Sequence, residues 1–167
     1  ESEGLLQIHA YRGATVSVLR PHEIAEIFEL RILLETYLLG HAMDRLSDAA
    51  LDSLDTVLSE LETSAELGTR LERRRAFYQV LYEQADRPRA LAQLNSLLGS
   101  VGRYLLLLQV DENPDHQDLM RHLRNRDGTL ATGWLTAHLS KVSAMLQVKA
   151  TGDEPSTEVA PVVSSTA

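Results

Sequence analysis

Cysteine is absent from this chain of 167 residues, so neither a disulfide framework nor a thiolate site can exist in it. That suits a reducing compartment, and a cytoplasmic location is the expectation. No run of eighteen apolar residues occurs, which argues against a membrane-spanning helix. The start has neither the basic residues nor the apolar stretch of a signal peptide, and Glu1 replaces an initiator methionine, so the chain reads as a fragment or a processed product. Aromatic residues make up only 5% of the sequence, leaving leucine to fill the core. Lysine is nearly missing too, with 2 against 14 arginines. A planar arginine fork suits bidentate pairing with carboxylates, although GC-rich coding would give the same bias. A net charge of −8 and a pI near 5.2 argue against this segment being a nucleic-acid surface, because a phosphate backbone rewards clustered Lys and Arg. No nucleophile with a base, no acid and base carboxylate pair and no phosphate-binding glycine loop is recognisable, so an enzyme is not expected.

What is present is mostly helical periodicity. Residues 1–20 alternate apolar and polar side chains around Arg12-Gly13, the pattern of a small β-hairpin. A hairpin alone is barely stable in water and needs a body to pack on. From Pro21 the spacing becomes helical, with Ile24, Ile27, Phe28, Arg31, Glu35, Leu38 and Ala42 on one side of a helix over about 21–46. Ser47 is a good N-cap for a second helix bearing Leu51, Leu54, Leu58, Leu61 and Ala65, with Gly68 as its terminator. A third, over about 69–85, carries Leu71, Arg74, Tyr78, Leu81 and Ala85. Pro88 starts a fourth that runs to about Val110, Asn113-Pro114 opens a fifth, and Asp127-Gly128 precedes a sixth. After Ala150 the helical period is lost and a disordered tail over 151–167 is expected. Short connections keep neighbouring helices antiparallel, so the expected fold is an all-α bundle of about six helices.

Polar side chains interrupt four of the apolar stripes: Arg31 with Glu35, Arg74 with Tyr78, His116, and His138. Each is costly to bury unless paired or hydrogen-bonded, and together they suggest a polar pocket inside the bundle. Simpler roles exist for each. Arg31 and Glu35, four residues apart, can pair with each other. Arg74 can reach the surface along its stem, a lone histidine on a stripe is more often a satisfied core residue, and a tyrosine can leave its hydroxyl at an edge.

Four blocks of sequence carry a family pattern: 22-HEIAEIFELRILLE-35, 77-FYQVLYEQADRPRAL-91, His116 with 119-LMRHLRNRD-127, and 137-AHLSK-141. In order and spacing they resemble the effector-binding C-terminal domain of GntR-type transcription regulators of the FadR subgroup, the FCD domain. The resemblance implies an FCD-like helical domain over about 21–150 and makes residues 1–20 the end of a winged helix-turn-helix domain, with Arg12 and Gly13 at the tip of the wing. It also implies a homodimer that meets operator DNA only through the rest of the full-length protein. Many members of that family hold a divalent metal with an Asp, a His four residues later, and two further His. His116 and His138 match the later pair, but the first two positions here are Arg74 and Tyr78. A guanidinium has no lone pair for a cation, and neutral tyrosine is a poor replacement for imidazole, so no tightly held metal is expected. Arg74 instead suggests direct capture of a small carboxylate effector, with Tyr78, His116 and His138 as hydrogen-bonding partners and Arg31 and Arg103 as reserve anion contacts. The alternatives are a fatty acyl-CoA effector, as in the subgroup's namesake, and a ligand-free dimerisation or interaction module.

Overall fold

The computed structural model describes the backbone of residues 6–9, 13–16, 19–107 and 116–152, and the side chains of residues 19–99 and 116–151. Two strands, β1 (Leu6–His9) and β2 (Gly13–Val16), pair antiparallel with Leu6 opposite Val16 and His9 opposite Gly13. Among the described residues six helices follow: α1 (Pro21–Met43), α2 (Asp48–Thr63), α3 (Leu67–Glu83), α4 (Pro88–Leu107), α5 (His116–Arg124) and α6 (Gly128–Gly152). The protein is an all-α bundle with a short hairpin ahead of it. Thr151 and Gly152, expected in the disordered tail, instead end α6; the rest of that expected tail, the Asn113-Pro114 helix start and Arg12 lie outside the described residues.

Local chemistry sets the helix starts. The Glu23 carboxylate accepts the Arg20 backbone N–H at 2.7 Å, and Pro21 occupies the first turn of α1, where a missing N–H costs nothing. Ser47 Oγ accepts the Ala50 N–H at 3.1 Å and caps α2 as its sequence position predicts. Asp127 Oδ1 accepts from Leu130 N at 2.9 Å and caps α6.

One expectation fails at the second connection. Gly68 does not end α2, which stops at Thr63, and Ala65 is not on its stripe. Gly68 lies in the first turn of α3, where its N–H and that of Thr69 donate to the Glu66 carboxylate at 2.8 and 2.6 Å. These bonds, that from the Thr69 backbone foremost, lower the Glu66 pKa below the ordinary carboxylate value. An N-capping glutamate is uncommon, so the glycine was the more visible signal and pointed to the wrong helix.

α1 packs against α3, α4 and α6, while α2 packs on α3 and α5. The core is mainly leucine, as the shortage of aromatics requires: Leu38 and Leu39 from α1, Leu54 and Leu58 from α2, Leu81 from α3 and Leu135 from α6 are all buried. No described helix is long and apolar enough to cross a membrane.

Candidate functional site

The polar residues that interrupt the stripes of α1, α3, α5 and α6 converge between those helices. Glu35 is 1% exposed and is the hub on α1. Its Oε1 accepts from Arg31 Nε at 2.8 Å and its Oε2 accepts from the Tyr82 hydroxyl at 2.7 Å. Arg31 also lies over the Phe28 ring, 4.6 Å from its centroid, a cation–π contact that covers the face of the guanidinium. Two elements are thereby tied by charge-assisted bonds in a dry environment, and the i, i+4 pairing expected of Arg31 and Glu35 is present.

Tyr78 lies one turn before Tyr82 on α3, and the two rings stack at 5.7 Å. Past Tyr78 comes His116 of α5, 2% exposed, at 5.8 Å between ring centroids. His116 in turn lies 6.3 Å from His138 of α6, and His138 stacks on Trp134 at 5.3 Å. Phe77 closes the other side of His116 at 5.3 Å. Arg74, half-buried on α3, has its Nε out of contact with solvent. Its positive charge acts on both the Tyr78 hydroxyl and His138. The structure thus brings Arg74, Tyr78, His116, His138 and Arg31 into one neighbourhood. The Arg103 side chain lies outside the described residues.

The electrostatics assign protonation states. Burial first, then the positive charge of neighbouring groups from His116 and Arg74 outward, lowers His138 to about 3. Its imidazole is therefore neutral at pH 7, with one nitrogen to donate and one to accept. Burial, reinforced by the Glu35 carboxylate, raises the Tyr78 phenol well above its ordinary value, so it keeps its proton and can donate. Among the described residues that hydroxyl has no hydrogen-bond partner, although Tyr78 is only 7% exposed. A buried unpaired hydroxyl costs on the order of 1–3 kcal/mol, and such groups call for an explanation. Tyr78→Phe is expected to leave the stability of the ligand-free protein unchanged or raise it by about 1 kcal/mol, because it removes an unpaired group and keeps the ring. Urea denaturation measures this, and a clear loss of stability would mean that the hydroxyl is bonded within the protein.

A divalent cation does not suit this donor set. Among the described residues no three of His, Cys, Asp and Glu gather as a metal-holding group. Glu35, whose charge reaches Tyr78, is already bonded by Arg31 and Tyr82. Two imidazoles and a protonated phenol beside a guanidinium offer a cation few lone pairs and an opposing charge.

Sequence reading missed three contributors. Tyr82 supplies the bond that joins α3 to Glu35, and Trp134 and Phe77 wall the two imidazoles. Helical spacing held a signal for two of them: Tyr82 is four residues after Tyr78, and Trp134 four before His138.

The FCD domain model matches residues 26–141, more than half of the chain. The chain belongs to the FCD domain family. Solved structures share the FCD fold. A GntR-family transcriptional regulator from Pseudomonas syringae pv. tomato superposes with a TM-score of 0.74 at 22% identity, over 90% of this chain and 67% of that one. E. coli McbR/YncC superposes with a TM-score of 0.76 at 21% identity, over 89% of this chain and 79% of its own. A Streptococcus agalactiae GntR protein follows at 0.62 and 17%, over 86% and 76%. At these identities the likeness concerns the fold of the FCD domain. No curated protein sequence matches the chain.

Proposed function

We propose that this FCD domain is the effector-sensing part of a GntR-type transcription regulator of the cytoplasm, and that it holds a small carboxylate metabolite without a metal ion. The observation that carries this reading is the Tyr78 hydroxyl, buried and without a partner among the described residues, beside the charge of Arg74 and the imidazoles of His116 and His138. Arg74 grips the carboxylate through its planar fork, Tyr78 donates to it, and the neutral His138 tells a hydroxyl or carbonyl elsewhere on the ligand from a methyl group. No step of chemistry is involved, so the domain is a sensor and not an enzyme. The neighbouring wing and the DNA-reading helices of the full-length protein contact the operator, and two copies act together. A ligand shifts such a pair between arrangements only by binding one more tightly than the other.

A thermal-shift series tests the reading. Small hydroxy and keto acids are expected to raise the melting temperature, with the same result after chelator treatment, while the matching amides do nothing. Absence of any stabilising carboxylate would leave a closed interaction module instead. A near-stoichiometric transition metal, found by elemental analysis of protein purified without chelator, would overturn the metal-free scheme.

A further inference from the structure

Among the described residues α2 gives no side chain to the polar neighbourhood, whose members stand on α1, α3, α5 and α6, yet α3 and α5 both pack on it. Its 16 residues hold five carboxylates, Asp48, Asp52, Asp55, Glu60 and Glu62, and no lysine or arginine. Four of the five bond to the segments that carry the site. Glu62 Oε1 accepts from Gln117 Nε2 at 2.9 Å, next in sequence to His116. Asp55 pairs with Arg124 at the far end of α5. Asp48 accepts from Arg126 Nη2 at 3.4 Å, and Arg126 also donates to the Leu46 carbonyl. Glu60 pairs at 2.9 Å with Arg73, the residue before Arg74 on α3.

The spacing of the two contacts along α5 matters most. Gln117 and Arg124 are seven residues apart, and Glu62 and Asp55 are seven apart in the opposite direction, so two rungs about 10 Å apart join antiparallel helices. Leu119, Met120 and Leu123 bury the inner side of α5, but apolar contact is non-directional and does not decide where the helix stops along α2. The rungs decide it. A slip of three or four residues, one helical turn either way, never keeps a carboxylate opposite both Gln117 and Arg124. His116 is the first residue of α5, so any slide or roll of that helix moves its ring against Tyr78 and His138.

We infer that Gln117 and Arg124, with Glu62 and Asp55 facing them, are positioning residues of the effector site: the carboxylate ladder along α2 sets the register of α5 and with it the place of the His116 ring. A polar pair at the surface contributes little to overall stability, so the ladder acts on geometry and hence on affinity. Only the ligand arm of the test rests on the carboxylate reading above.

Trp134, the one tryptophan of the chain, lies 5.8 Å from the His116 ring and 5.3 Å from that of His138, so its fluorescence reports on the site without a ligand. In the purified full chain Asp55→Arg sets two cations against each other. It is expected to shift the Trp134 emission and to weaken binding of glycolate and pyruvate, the simplest hydroxy and keto acids, about five- to tenfold, with the urea midpoint little changed. Adding Arg124→Asp restores the attraction and is expected to recover both readouts. Glu62→Ala removes only the acceptor of Gln117 and should act in the same direction, which decides the matter if Asp55→Arg misfolds. Asp118→Asn breaks the Asp118–Arg121 pair within α5 and should change neither readout. Unmoved emission in Asp55→Arg and Glu62→Ala, a swapped pair that fails to recover, or an equal effect of Asp118→Asn would each overturn the inference. If neither acid binds the wild type, the fault lies with the carboxylate reading, and the fluorescence series alone decides the role of the ladder.

Discussion

Glu35→Ala is expected to destabilise the protein by about 3–5 kcal/mol, a large part of the stability of a domain this size. The reason is the company the carboxylate keeps. Its two oxygens satisfy the Arg31 guanidinium and the Tyr82 hydroxyl, and the ion-pair side chains are 10% and 2% exposed. Alanine leaves a buried cation without its counter-ion and a buried hydroxyl without its acceptor. The cost arises from stranding those groups, because an intact buried pair gains little over well-packed apolar residues. A double change, Arg31→Met with Glu35→Leu, should therefore recover most of what the single change loses. Tyr82→Phe should cost only about 1 kcal/mol, since one neutral donor is removed and Arg31 remains bound. Urea midpoints of the three variants check the ordering. Equal losses for the single and the double change would show that the packing of α1, and not its charge, holds the bundle here.

The second large effect concerns Arg74. Arg74→Ala is expected to weaken binding of a small carboxylate by at least about a hundredfold, because a two-point guanidinium contact in a water-poor site contributes about 3 kcal/mol. Isothermal titration calorimetry with whichever acid stabilises the wild type measures it. Affinity that survives the substitution would refute the carboxylate scheme. A readout that needs no ligand accompanies it. Arg74 is among the charges that hold His138 at about 3, after burial and His116, so its removal should move that pKa upward toward the ordinary imidazole value. The sign follows from repulsion: taking away a neighbouring cation makes the protonated ring easier to form. An NMR titration of the imidazole protons follows the change.

The helices among the described residues and most of their starts were legible in the sequence because each rests on local signals: the first-turn proline of α1, the serine cap of α2, Pro88 as the first residue of α4 and Asp127 before α6. Gly68 was misread because a glycine after a leucine stripe looks the same whether it ends one helix or has its N–H accepted by a carboxylate two residues back. The polar neighbourhood was legible as four interruptions of four stripes. Which of those groups pair was not, beyond Arg31 with Glu35. The Tyr82 to Glu35 bond joins residues 47 apart in sequence. Only the packing of α3 on α1 creates it, and a tyrosine on a helix stripe gives no sign of whether its hydroxyl has found an acceptor. The crowding of Phe77 and Trp134 around His116 likewise depends on how α3, α5 and α6 meet.

One helix has two masters. On α1, Arg31 and Glu35 look into the bundle while Leu30 and Leu33, their near neighbours in sequence, look out. Because a helix turns as a stiff rod, a tug on the inner pair cannot be absorbed by a loop before it reaches the outer surface. A twist at the inner pair would reach Leu30 and Leu33 across the thickness of a single helix.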